Sequence, residues 1–242
     1  MARTYEALIK KSKGIPAKSD LPTVTLDERP LPELSSDKQM VDLNYFLDMK
    51  AEQDNLRIVN FVSSRSGEGT TTVVVNFIRY MLESKTSSHV LLIDANSQHP
   101  TLHLEFTVPA NPGLRDVLLN KAKLSDTIYK IGSRNIYLIP NGSSLTFDSS
   151  NGEPLKYSSL FSQLSNRFQY IFIDSPPLLE SSSALGLAAI ADTTFIVIQA
   201  HRTQWEVAEK AKNYLNHNKC AIGGVILNRI QQPIPGWIYK RL

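Results

Sequence analysis

The sequence predicts an α/β protein with a doubly wound, mainly parallel sheet and helices on both faces. Runs of consecutive apolar residues alternate with longer segments of helical periodicity, which is typical of strands that are buried on both faces and connected by helices. A glycine-rich turn at residues 67–69 follows the first apolar run and opens a helical segment, which is the local order of a phosphate-binding loop.

The predicted strands are apolar runs that are rich in β-branched residues. They cover Ile58 to Val62, Val90 to Ile93, Ile136 to Ile139, Tyr170 to Ile173, Thr194 to Ile198 and Ile222 to Leu227. Helical spacing predicts helices over Leu43 to Gln53, Val73 to Leu82, Tyr157 to Arg167 and Gln204 to Asn216. This alternation of strands and helices implies a sheet that is mainly parallel.

A length of 242 residues accommodates one α/β domain with a tail. We expect a flexible tether at residues 1–36, where four prolines discourage regular structure. The predicted phosphate-loop domain spans residues 37–230. Residues 231–242 are expected to be a docking tail, because Trp and Tyr beside Lys and Arg suit a membrane interface or a groove on a partner. The alternative is that Trp237 packs against the domain itself.

Composition argues against several classes of protein. The net charge of +3 is too small to favour nucleic acid as a partner. No apolar run is long enough for a membrane-spanning helix, because the longest, near Leu185 to Ala200, contains Asp192. The first residues carry no apolar signal core, and Cys220 has no second cysteine with which to form a disulfide. We therefore expect a cytoplasmic protein.

The most informative segment runs from Ser63 to Thr72. Its glycines allow backbone N–H groups to turn inward as an anion-binding nest, at the positive end of a helix dipole. Thr71 stands where the hydroxyl that binds Mg²⁺ belongs, and Thr70 occupies the preceding position, where a phosphate-binding loop carries its lysine. The loop is therefore suited to phosphates but lacks the usual cation.

Two acids follow predicted strands. Asp94 closes the run that begins at Val90, and Asp174 closes the run that begins at Tyr170 and is followed by two prolines. Either acid alone is equally compatible with a simple turn residue. Because carboxyl ends of parallel strands share one edge of the sheet, two acids in this order after a glycine loop favour a metal site beside the phosphates.

Four segments together carry a family resemblance. They are Gly67-Glu68-Gly69-x-Thr71-Thr72, Leu91 to Asn96, Ile173 to Pro177 and Gly224 to Arg229. This order resembles the cytoplasmic bacterial tyrosine autokinases of the polysaccharide co-polymerase system, which are relatives of the MinD and ParA ATPases. The resemblance implies a P-loop NTPase fold, ATP or ADP with Mg²⁺ as cofactor, and a role in the assembly and export of capsule or exopolysaccharide.

The resemblance also implies roles for individual residues. Gly67 to Thr72 match the Walker A loop, Asp94 matches the first acid of the family's Asp-x-Asp motif, Asp174 matches the Walker B acid, and Asn228 is expected beside the nucleotide base. The expected nucleotide-binding residues are Arg65, Gly67, Glu68, Gly69, Thr70, Thr71, Thr72 and Asn228. The expected metal ligands are Thr71, Asp94 and Asp174, and the two acids are expected to be vestigial as catalytic groups.

The sequence departs from the family pattern in four places. Thr70 replaces the lysine, and Asn96 replaces the second acid of the Asp-x-Asp pair. An amide is a weaker Mg²⁺ ligand than a carboxylate and does not act as a base for a tyrosine hydroxyl. The segment Lys38 to Asn44 lacks both arginines of the family's Glu-x-x-Arg-x-x-Arg motif, and Tyr239 stands alone where the kinases carry clustered tyrosines. These departures predict a degenerate kinase.

Three functions remain open at this point. The first is a regulator that binds nucleotide weakly or without efficient turnover and is the cytoplasmic partner of a membrane polysaccharide co-polymerase, peripheral at the inner membrane, through its core domain or its C-terminal tail. The second is an active tyrosine kinase in which Arg65 replaces the lysine. The third is a positioning ATPase of the MinD/ParA type, although no nucleic acid is expected as a partner.

Overall fold

A computed structural model describes residues 23–24, 37–83, 88–143 and 153–229. The strands are β1 (Thr23–Val24), β2 (Ile58–Ser63), β3 (Val90–Asp94), β4 (Tyr129–Ile131), β5 (Ile136–Ile139), β6 (Tyr170–Asp174), β7 (Thr193–Gln199) and β8 (Ile222–Asn228). The helices are α1 (Asp37–Asp54), α2 (Thr70–Glu83), α3 (Leu102–Glu105), α4 (Leu114–Leu118), α5 (Glu153–Ser165), α6 (Ser182–Ile190) and α7 (Trp205–His217). A 3₁₀ turn covers Leu124–Thr127.

These strands form one sheet in the order β1-β4-β5-β3-β6-β2-β7-β8. Neighbouring strands are parallel except β4 and β5, which are antiparallel. Every residue of β2, β3, β5 and β6 is buried, because helices cover both faces of the sheet. The predicted α/β class with a doubly wound, mainly parallel sheet is confirmed.

The two faces of the sheet have separate cores. On one face, α1 and α2 pack on β2, β3 and β6, with Leu47 and Phe77 fully buried among the strand side chains. On the other face, α4, α5 and α6 cover the centre of the sheet, while α6 and α7 cover β2 and β7 through Ala188 and Leu215. The Tyr170 hydroxyl donates a hydrogen bond of 2.7 Å to Asp48 Oδ1, which fastens α1 to the sheet.

The predicted strands are all present, within one residue at each end. The sequence pattern does not predict β4 or α6, and Thr23 and Val24, inside the predicted tether, pair with β4 at the edge of the sheet. The other residues of the range 1–36 and the predicted docking tail at 231–242 lie outside the described residues. Within the described ranges, no helix is long and apolar enough to cross a membrane.

Candidate nucleotide-binding site

The phosphate loop lies between β2 and α2, at the carboxyl edge of the sheet. Gly67 and Gly69 have φ angles of 84° and 92°, in the left-handed region that favours glycine. A Cβ on Gly69 would lie 2.0 Å from Asn228 Nδ2, so the approach of β8 also requires glycine there. Because α2 begins at Thr70, the amides of its first turn point into the loop as donors for an anion.

Glu68 braces this loop from within. Its carboxylate is buried, and Oε2 accepts hydrogen bonds from the amides of Ser64 (2.7 Å) and Arg65 (3.0 Å). Oε1 accepts a 2.6 Å hydrogen bond from the hydroxyl of Thr203, in the loop after β7. The side chain of Glu68 therefore holds the early part of the loop. Only the backbone of Glu68 is then available to a phosphate.

Asn228 also contacts the loop. Its Nδ2 donates to the backbone oxygen of Glu68 (3.0 Å), and its Oδ1 accepts from the Arg229 amide (2.9 Å). The sequence prediction placed this amide beside a nucleotide base. In the structure, one donor of Nδ2 is engaged by the loop itself, so Asn228 positions the backbone around Gly69.

The metal side of the site is built from Thr71 and the two predicted acids. Asp94 and Asp174 are directly paired across β3 and β6, and both are buried. The Thr71 hydroxyl donates to Asp174 Oδ2 (2.7 Å), while Asp174 Oδ1 is buried without a hydrogen-bond partner in the described structure. Asp94 Oδ2 accepts from the amide of Leu102 and Oδ1 from that of Asn96, both at 3.2 Å.

Burial raises the pKa of both acids. The pKa of Asp174 rises to about 7, mainly through desolvation, although the hydrogen bond from Thr71 opposes the rise. The pKa of Asp94 lies well above its ordinary value through burial and through repulsion by Asp174, while its backbone hydrogen bonds oppose the shift. Both shifts favour the protonated carboxyl groups, and a cation bound beside them would favour their charged forms.

These residues fit Mg²⁺. Carboxylate and hydroxyl oxygens are its preferred ligands, and Asp174 Oδ1 is an acceptor without a partner among the described residues. The described residues contain no group of three or more His, Cys, Asp or Glu side chains able to hold a metal ion by themselves. A magnesium ion at Thr71 and Asp174 would therefore need further oxygen ligands, which phosphate groups or water could supply.

The lysine side of the site, where a phosphate loop usually carries that residue, has uncharged side chains at positions 70 and 96. Thr70 is buried, and its Oγ1 has no hydrogen-bond partner in the described structure. Asn96 is half-buried, and its Oδ1 accepts a 3.2 Å hydrogen bond from the His99 amide, so the side-chain carbonyl closes a local turn. Arg65 is exposed on the outside of the loop.

A cavity of about 240 Å³ lies over the loop. Its lining brings together Gly67, Gly69, Thr70, Thr71 and Asn96 with residues that follow β2, β3 and β6. Ligand pockets usually measure about 300–1,000 Å³, so this cavity suits a phosphate chain and leaves a base and ribose outside it. A larger groove of about 680 Å³ lies between the segment 178–182 and α7, and we give it less weight because it contains none of the predicted site residues.

Sequence reasoning missed the contribution of the loop after β7. Gln199, Arg202 and Thr203 approach the phosphate loop from the strand next to β2. Glu180 was also missed, and its Oε2 accepts a 3.3 Å hydrogen bond from the Ser66 amide. Neither segment carries a local motif, and the 135 positions between Glu68 and Thr203 leave no short-range signal.

The fold and the glycine loop define this protein as an α/β protein of the P-loop NTPase class. Comparison with known families matches residues 56–219 to the AAA domain family. The putative tyrosine-protein kinase CapB of Staphylococcus aureus is 25% identical over 178 residues, covering 74% of this chain and 77% of CapB. The tyrosine-protein kinase YwqD of Bacillus subtilis is 28% identical over 177 residues, covering 72% of each chain.

Solved structures give the same result. The kinase domain of VpsO is 28% identical with a TM-score of 0.68, covering 80% of this chain and 94% of that domain. MinD from Pyrococcus horikoshii, solved with Mg-ADP, is 28% identical with a TM-score of 0.62, covering 76% of each chain. The chain therefore belongs to the AAA domain family, and it is a P-loop protein related to the bacterial tyrosine kinases.

Proposed function

We propose that this protein is a degenerate member of its family that binds ADP or ATP with Mg²⁺ without efficient phosphoryl transfer. The observation that carries the proposal is Thr70, whose buried hydroxyl without a partner stands where the family places a cation. The loop glycines, Thr71 and Asp174 are retained in a geometry that suits phosphate and metal. Binding groups therefore persist where a charge that promotes transfer is missing.

The position of Asn96 supports the same proposal. Its carbonyl oxygen is engaged by the His99 amide, and an amide has no proton-accepting role for a tyrosine hydroxyl. When Mg²⁺ is bound, it supplies neutralisation of phosphate charge. Asp174 and Thr71 would hold the ion, and the loop amides would orient the phosphates. Thr70 and Asn96 are uncharged, so neither adds a charge for the transfer itself.

In the cell, we assign the protein to capsule or exopolysaccharide assembly, as the cytoplasmic partner of a membrane polysaccharide co-polymerase, peripheral at the inner membrane. This assignment rests on the resemblance of its motifs and on its kinase relatives. Co-sedimentation with vesicles that contain a purified co-polymerase, but not with protein-free vesicles, is the expected result. Equal binding to both vesicles, or to neither, contradicts the assignment.

Two measurements on the unmodified protein test the nucleotide proposal. Calorimetric titration with ADP and Mg²⁺ is expected to show binding, while incubation with ATP labelled at the γ-phosphate is expected to leave tyrosine unlabelled. Absence of ADP binding at millimolar concentration overturns the binding role. Tyrosine labelling that disappears in Arg65→Ala supports the active-kinase alternative instead.

A further inference from the structure

No basic side chain within the phosphate loop makes a hydrogen bond or an ion pair with the described residues. Thr70 fills the lysine position. The Arg65 guanidinium is exposed, and among the described residues it makes no hydrogen bond or ion pair. Four carboxyl groups lie around the loop: Glu68, Asp94, Asp174 and Glu180. A phosphate chain approaching this set of acids needs a positive group in addition to the metal.

Arg202 lies next to the loop. Its Nη1 is 3.9 Å from the place that a Cβ on Gly67 would occupy, so the guanidinium lies against the glycine turn. The same Nη1 donates to Gln199 Oε1 at 3.4 Å. Gln199 Oε1 also accepts from Arg229 Nη1 at 3.5 Å, which places a second guanidinium beside the first.

The segment that carries Arg202 is held by hydrogen bonds on both sides, to the phosphate loop and to the end of β8. The adjacent Thr203 hydroxyl donates to the Glu68 carboxylate (2.6 Å) and accepts from the Gln199 amide (3.1 Å). On the other side, the Ala200 amide donates to the backbone oxygen of Asn228 (2.9 Å). These bonds fix the backbone on either side of Arg202, which reduces the conformational entropy that this backbone segment loses when a ligand binds.

The charge of Arg202 remains available. Glu68, the acid that the adjacent Thr203 contacts, is engaged by two amides and the Thr203 hydroxyl. Among the described residues, Arg202 takes part in no ion pair. A guanidinium without an acidic partner, exposed beside an anion-binding turn, is suited to bidentate binding of a phosphate.

We infer that Arg202 supplies, from the loop after β7, the cation that the phosphate loop lacks at position 70, and that it binds the phosphate chain of a nucleoside di- or triphosphate. The inference rests on the proposed nucleotide binding and adds the residue that holds the phosphates. Arg202 then takes the part that the sequence alone assigns to Arg65.

The test compares the affinity of the full-length protein for AMP, ADP and ATP, each with Mg²⁺, in a set of variants. Arg202→Ala is expected to weaken ADP and ATP binding by about tenfold to a hundredfold, the usual value of a charge-assisted hydrogen bond. AMP binding is expected to change less, and Arg202→Lys is expected to recover part of the loss. Lys212→Ala, which removes an exposed charge on α7, is expected to stay within threefold of the unmodified protein, and Arg65→Ala is expected to weaken binding less than Arg202→Ala does.

A double-variant comparison separates a phosphate contact from a structural effect. If Arg202 and a lysine at position 70 serve the same phosphates, then Arg202→Ala costs less affinity in the Thr70→Lys background than alone. An equal loss in both backgrounds, or an equal loss for all three nucleotides, overturns the inference. A loss in Arg65→Ala with none in Arg202→Ala overturns it and leaves the proposed nucleotide binding intact. If the unmodified protein binds no nucleotide, the proposed function and this inference both fall.

Discussion

The two sides of the phosphate loop have diverged. On the metal side, Thr71 donates to the buried Asp174, which is paired with Asp94 across the sheet, and one oxygen of Asp174 has no hydrogen-bond partner among the described residues. On the lysine side, the buried hydroxyl of Thr70 has no hydrogen-bond partner among the described residues. The side-chain carbonyl of Asn96 accepts the His99 amide and closes a local turn. Under the proposed function, the groups that bind a phosphate and its metal are therefore separable from the charges that promote transfer.

The largest effect on this comparison is expected from a substitution that distorts the phosphate loop, which both sides share. Gly69→Ala places a Cβ against Asn228 at a φ of 92°, so strain and overpacking together are expected to cost about 2–4 kcal/mol of folding stability. Nucleotide binding is expected to disappear with it. Urea unfolding and ADP titration measure the two effects.

Gly186→Ala is the matched control. Gly186 lies inside α6, and nothing lies within 4 Å of the Cβ that alanine would add. Alanine is expected to stabilise the helix by about 0.5–1 kcal/mol and to leave nucleotide affinity unchanged. If both variants behave alike, the close approach of β8 to the loop does not limit position 69.

Asp174→Asn sharpens the comparison from the metal side. Because the folded state raises the pKa of Asp174 to about 7, the folded protein holds the proton more tightly than the unfolded chain. This contribution to stability is complete below the unfolded pKa, near 4, and is lost as the pH rises through about 7. The stability of the variant relative to that of the unmodified protein is therefore expected to rise by on the order of 3 kcal/mol between pH 4.5 and pH 8.

Urea unfolding at the two pH values tests this expectation. A stability difference that is the same at pH 4.5 and pH 8 contradicts the raised pKa of Asp174. In the same variant, Mg²⁺ is expected to lose its effect on ADP affinity, because the unpartnered oxygen of Asp174 is the proposed ligand. This second readout separates the metal role from the effect of charge on folding.

Thr203→Val tests the hydrogen bonds that connect the phosphate loop to the loop after β7. The substitution removes a hydroxyl that bonds both Glu68 and the Gln199 amide, and the expected cost is about 1–2 kcal/mol of stability. ADP affinity is expected to fall less than it does in Arg202→Ala. Thr203→Ser keeps the hydroxyl and is expected to restore both values. A loss in the serine variant with none in the valine variant would show that the methyl group, and not the hydrogen bonds, stabilises this contact.

Most of the sheet was predictable because its strands are consecutive apolar runs. The three-residue strand β4 was not, since Lys130 lies at its centre and its position depends on pairing with β5. The helix α6 was hidden because its apolar residues continue into the apolar run of β7. The boundary between them, at Asp192, becomes clear only in three dimensions, where its carboxylate accepts the amides of Arg57 and Ile58 at the start of β2.

The site was predictable where its residues form local motifs. The glycine turn, Thr71 and the acids at the strand ends follow from spacing alone, and the structure brings them together as expected. The engagement of the Glu68 and Asn228 side chains with the loop backbone, and the approach of Arg202, depend on the order of β2, β7 and β8 in the sheet. Sequence reasoning therefore selected the cation nearest along the chain, Arg65, whereas the fold brings Arg202 to the turn.

The central claim is that this loop retains recognition of a nucleotide after losing the charges that promote transfer. The most direct test measures ATP affinity and γ-phosphate release in the unmodified protein and in the double variant Thr70→Lys, Asn96→Asp. We expect slow or no release in the unmodified protein, and in the double variant at least tenfold tighter ATP binding with clear release. Efficient release by the unmodified protein, or no gain in the double variant, contradicts the claim.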